Sequence, residues 1–171
     1  MPNDLPLEES YPHLREFSAF SIVINKESER GAVLVAATMI DDLLGRMILA
    51  FLVDHKDTSR LLDGFNAPLG TLSSRILGAF ALGLLSETEY RECENIRKIR
   101  NVFAHNVHAS FEDQKVKDIC ANLSYSAKDY GNVHVDARGQ YTTGAVSLIL
   151  HLTNRSVYAS RRRLQHHDWP Y

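Results

Sequence analysis

The chain has 171 residues, a mass of 19.3 kDa and 44% apolar side chains, which suits one domain with a core of its own and leaves little room for two. Its 19 Lys and Arg against 21 Asp and Glu give a formal charge of -2 and a pI near 6.4, so no general basic field is available to hold nucleic acid and any such contact must be local. Cys93 and Cys120 make neither a disulfide framework nor a metal knuckle, which fits a reducing cytoplasm. The N-terminus lacks a basic leader, and no apolar run approaches the ~18 residues a membrane span requires.

Residues 10–25 carry Leu14, Phe17, Phe20, Ile22, Val23 and Ile24 at spacings nearer 3.6 than 2, which predicts a first helix with Pro12 in its opening turn. Residues 29–53 repeat apolar pairs at Met39 and Ile40, Leu43 and Leu44, Met47 and Ile48, and Phe51 and Leu52, the pattern of a long buried helix. Asp63, Gly64, Asn66, Pro68 and Gly70 then interrupt regular structure, so residues 54–70 read as a loop with one short turn near 59–62. Helical spacing resumes over 71–82, and Gly83 stands where a left-handed cap wants glycine.

Ser86 and Glu89 have the spacing of a capping box, with Leu85 and Tyr90 placed as a hydrophobic staple, so a further helix is predicted over 87–105. So short a link forces the two helices into an antiparallel hairpin. A weaker helix is expected over 111–123, a polar stretch over 124–139 with a brief extended piece at Val133-His134-Val135, and a last helix over 141–163 before a loose tail, 164–171. The whole predicts a single all-α bundle of five or six helices around that central hairpin.

On a helical wheel Cys93, Ile96, Ile99, Phe103 and Ala104 share one side of the 87–105 helix, and Arg100 falls among them. A guanidinium there needs a carboxylate, a cleft or an interface, and Asp41 on the long helix is the nominated partner for a structural ion pair. Glu94, Arg97, Asn101 and His105 form a polar stripe beside it, which by itself is an ordinary solvated face.

Arg100-Asn101-Val102-Phe103-Ala104-His105 resembles the signature of HEPN domains, many of which are metal-independent ribonucleases. The resemblance implies that Arg100, Asn101 and His105 of two copies meet across a dimer interface, with arginine on the scissile phosphate and histidine moving a proton. A longer resemblance covers residues 29–106. Arg30-Gly31-Ala32, Leu61-Leu62-Asp63-Gly64, Pro68-Leu69-Gly70-Thr71-Leu72-Ser73-Ser74-Arg75 and Leu85-Ser86-Glu87 are similar to the mannitol operon repressor family. That implies an all-helical bacterial regulator that self-associates, works in the cytoplasm, lacks an ordinary DNA-reading motif and acts through a protein partner or a weak basic patch; a mannitol-specific role is not implied.

Other groupings are weaker. His105, His108, Glu112 and Asp113 have spacings open to a metal, but eight scattered histidines produce these by chance, and neither metal nor cofactor is expected. Thr71, Ser73, Ser74 and Arg75 after Gly70 offer amides to an anion or an ordinary helix cap. Arg155, Arg161, Arg162 and Arg163 are a local basic cluster suited either to phosphates or to the end of a helix. The tight turn before Glu87 precedes Glu89, Glu92 and Glu94, an acidic surface on this reading, which argues against a helix-turn-helix reading the major groove.

Overall fold

A computed structural model describes residues 15–170. Seven α-helices occur among them: α1 (Arg15–Lys26), α2 (Glu29–Phe51), α3 (Leu72–Ala81), α4 (Glu87–His105), α5 (Gln114–Ala121), α6 (Ala137–Thr153) and α7 (Arg155–Ser160), with a single 3-10 turn at Thr58–Leu61. The described residues form no strand, and the only extended pairing among them is an isolated bridge between Tyr130 and Val133. The all-α bundle expected from the sequence is what forms. The expected start of the first helix, 10–14, lies outside the described residues.

The long helix α2 is the axis of the fold, packing against α1, α3, α4, α6 and α7. Its buried residues include Ala32, Ala36, Ile40, Leu44, Met47 and Ile48, which face partners on more than one side. Phe103, Phe111 and Tyr141 fill the far end of the core as a run of tilted rings with centroids 5.2 and 5.4 Å apart. The Tyr141 hydroxyl donates to the Val33 carbonyl at 3.2 Å, satisfying the polar tip of a fully buried ring.

The α3–α4 hairpin is locally determined. Thr71 and Ser86 both close capping boxes, each with its own third helical residue, Ser74 and Glu89. Gly83 adopts φ 70°, and the Leu84 amide reaches back to the Ala79 carbonyl at 2.9 Å, ending α3 as a left-handed cap does. Leu85 is buried as the staple requires, while Tyr90 stacks on Phe80 at 4.4 Å, an extra tie across the hairpin.

Elsewhere the elements differ from their expected bounds. The predicted 111–123 helix shortens to α5, because the Phe111 amide donates to Glu29 Oε2 at 3.2 Å and Ser110 to Asp113 Oδ2 at 3.1 Å, which turns the chain before Asp113. The predicted 141–163 helix starts earlier, where Asp136 caps the Gly139 amide, and it breaks at Asn154 into α6 and α7. The break aims Arg155 into the core end of α4. The tail is anchored at its start. Arg163 Nε donates to Ala50 O at 3.1 Å and the Leu164 amide to Phe51 O at 2.8 Å, giving the last carbonyls of α2 the partners they lack within the helix.

Candidate functional site

Arg75, one turn into α3, is the clamp of the 62–70 loop. Its Nε donates to Leu69 O at 2.9 Å, Nη2 to Leu62 O at 3.1 Å and Nη1 to Asp41 O at 3.3 Å. The same Nη1 lies 3.2 Å from Asp41 Oδ2. Asp41 is therefore paired with Arg75, and the direct contact expected between Asp41 and Arg100 is corrected: Arg100 reaches Asp41 only through its field. The reason is tertiary, since α3 brings Arg75 against Asp41 on α2. Burial holds the Asp41 carboxyl above its usual value against the pull of Arg75, and its Oδ1 is buried without a hydrogen-bond partner.

Arg100 is half-buried on α4 and its Nη1 donates to the neighbouring Asn101 Oδ1 at 3.2 Å, with no carboxylate in contact among the described residues. Arg97 is neutralised by Glu94 through a bidentate pair, Nε to Oε1 at 3.0 Å and Nη2 to Oε2 at 2.8 Å. Arg97, Arg100 and Asn101 line a cleft of about 430 Å³ with Asp41 and with Gly70, Thr71, Leu72 and Ser73 at the start of α3. Asn101 also borders a wider cleft of about 780 Å³ against α5, lined by Lys98, Val102, His105 and Lys115 among others. His105 is exposed there, and Ala104, expected on the buried side, is exposed too. Five residues apart on one helix, Arg100 and His105 point about 140° apart, so within a single copy they serve different clefts.

The acidic surface expected on α4 is not the one that forms. Glu89 and Glu92 are 4% and 0% exposed. Glu89 takes the Ser86 amide at 2.8 Å and the Arg155 guanidinium at 2.5 Å; burial pushes its carboxyl up, but these partners win and hold it below its usual value. Glu92 accepts the Ser124 and Tyr125 amides, both at 2.9 Å, with Lys128 acting only through its field, and here burial wins and holds the carboxyl above its usual value.

The C-terminal basic cluster is divided between structure and surface. Arg155 joins Glu89 and the Leu84 carbonyl, and Arg163 joins Asp54 at 2.6 Å and Ala50. Arg161 and Arg162 are exposed, Arg161 lying 5.4 Å from the Tyr158 ring centre. Among the described residues no three of His, Cys, Asp or Glu gather as metal ligands. Glu112 pairs with Lys117, Asp113 caps Ser110, and His108 is exposed.

Arg30 enters the sequence reading only within the family-like stretch, with no role of its own. Its guanidinium donates to the carbonyls of Phe103, Asn106 and Val107, closing the C-terminal end of α4 directly beside His105. The signal was the tertiary return of α2 past that end, which periodicity does not carry.

No family model matches the sequence, and no curated protein matches it. Among solved structures, the fold is similar to the X-ray structure of the MtlR-HPr complex from Escherichia coli, with a TM-score of 0.57 and 20% identity, over 83% of this chain and 99% of that one. At that identity the likeness is one of fold.

Proposed function

We propose that the protein is a non-enzymatic regulator that works by docking a protein partner, as an HPr-binding relative of the mannitol repressor type, and that it self-associates as a dimer. The observation that carries the reading is the fold likeness over nearly the whole of a chain solved in complex with HPr. The charge distribution supports it, because Arg30, Arg75 and Arg155 are spent on internal carbonyls and carboxylates and are not free for a nucleic-acid backbone. Leu77 and Phe80, 59% and 38% exposed on one side of α3, supply apolar surface of the kind a second copy covers. The test is sedimentation of the full chain alone and with HPr from the same organism. A dimer alone and a faster mixed species are expected; a monomer that ignores HPr overturns the proposal.

A second reading, the HEPN-type ribonuclease, is favoured by one observation: among the described residues Arg100 meets no carboxylate, only the Asn101 amide oxygen, and His105 is exposed. Arg100, Asn101 and His105 would then act across two copies. RNA cleavage without metal, abolished by His105→Ala, supports that reading, and intact RNA at high protein concentration rejects it.

A further inference from the structure

The ends of α2 and α3 and the short α7 meet around a cleft of about 610 Å³, a volume within the range of small-ligand pockets. Its floor is apolar: Leu84 and Ala159 are buried there, with Phe51 and Leu82 half-buried beside them. Its rim is cationic, formed by Arg155, Arg161 and Arg162, and among the described residues no Asp or Glu lines it.

The arginines here do different work. Arg155 is held by Glu89 and the Leu84 carbonyl, and the next cation along, Arg163, by Asp54 and the Ala50 carbonyl. The exposed side chains of Arg161 and Arg162 meet neither a carboxylate nor a carbonyl among the described residues; Arg161 lies only over the half-exposed ring of Tyr158. Cations at the C-terminal end of a helix commonly serve its last carbonyls, but these carbonyls already have donors. Ala50 and Phe51 receive Arg163 and the Leu164 amide, Ala79 and Phe80 receive the Leu84 and Gly83 amides, and Ala159 and Ser160 receive the Arg162 and Arg163 amides. Two adjacent guanidiniums therefore stand unpaired above an apolar floor. An anion with an apolar body answers both halves, its charge taken by a guanidinium fork and its body displacing water from the floor. The floor favours a carboxylate over a phosphate dianion, whose removal from water costs more.

We propose that this cleft binds a small amphipathic carboxylate, with the carboxylate on Arg161 and Arg162 and the apolar body over Leu82, Leu84 and Ala159. The site goes beyond the partner reading and does not rest on it, because binding is read on the chain without HPr.

The test is calorimetric titration of the full chain with octanoate, 3-phenylpropionate, neutral octanamide, acetate and inorganic phosphate. At least one of the first two is expected to bind about tenfold or more tightly than each of the last three, and the better of the two tells an acyl body from an aromatic one. Arg161→Gln combined with Arg162→Gln is expected to weaken that binding by about tenfold or more. Lys26→Gln combined with Lys117→Gln, which removes the same charge away from the cleft, is expected to leave it unchanged. All four side chains lie at the surface, and melting curves without ligand check that both variants fold. No binding of either amphipathic carboxylate overturns the proposal, as does equal weakening by the two double variants. Octanamide binding as tightly as octanoate overturns it in favour of a merely apolar cleft, and phosphate binding as tightly overturns it in favour of an unselective anion site.

Discussion

Glu89 and Arg155 are 66 residues apart in the chain, yet Arg155 Nη2 sits 2.5 Å from Glu89 Oε1 while Glu89 Oε2 still caps the Ser86 amide. One carboxylate thus starts α4 and fastens α7 to it. Removing the cation strands a carboxyl that is 5% exposed. Arg155→Ala is therefore expected to lose about 3 kcal/mol of stability in urea unfolding, at the lower end for a broken buried pair because Arg155 itself is partly exposed. A wild-type midpoint would contradict this.

Arg75→Ala removes the clamp on the 62–70 loop and leaves Asp41 with a distant cation only. A loss of about 2 to 3 kcal/mol is expected, discounted from the buried-pair figure for the exposure of Asp41. Arg75→Lys should recover little, since an ammonium cannot serve three carbonyls in different directions. Chemical denaturation of the two variants checks both statements.

Arg100→Ala is expected to melt within about 0.5 kcal/mol of wild type, because Asp41 is already matched by Arg75. The wheel alone pointed the other way, to a stranded Asp41 and a large loss. A clear fall in the melting temperature would restore the direct Asp41–Arg100 pairing.

Glu89 and Glu92 carry opposite pH signatures. The folded-state value of Glu89 is depressed, so its contribution is full above the unfolded value near ~4.3 and is lost as pH falls through the lower folded value. The folded-state value of Glu92 is raised, so the native state takes up that proton first and its contribution grows as pH falls through the raised value. Glu92→Gln removes the second effect while leaving the first. Its melting temperature should therefore fall more steeply with acid than that of wild type as pH falls from neutrality into the ordinary carboxylate range, and parallel curves would contradict the assignment.

Both thiols are fully buried, and burial pushes the Cys120 thiol up to about 12 and Cys93 further. Neither should react with a thiol reagent at neutral pH until denaturant is added. Rapid labelling of the native protein would show that the core opens locally.

What the sequence made legible was local or periodic. Ser86 with Glu89 and the glycine at 83 announced the α3–α4 turn because their partners lie within five residues. The buried character of α2 followed from its apolar pairs. The misread charges all have partners far along the chain: Glu92 meets amides at Ser124 and Tyr125, Glu89 meets Arg155, and Asp41 meets Arg75. A wheel gives a residue's direction but not what the fold brings to it. The break at Asn154 was hidden for the same reason, since apolar spacing continues through it to the buried Ala159. The candidate clefts were half visible: Arg100, Asn101 and His105 were singled out, but the loop return that sets Ser73 and Leu72 against Arg100 was not.

The partner reading is tested most directly by amide hydrogen exchange of the full chain with and without saturating HPr. Protection confined to one contiguous surface of the helical bundle is predicted, with the exchange of core amides in α2 unchanged. Identical exchange everywhere at saturating HPr would contradict action through that partner.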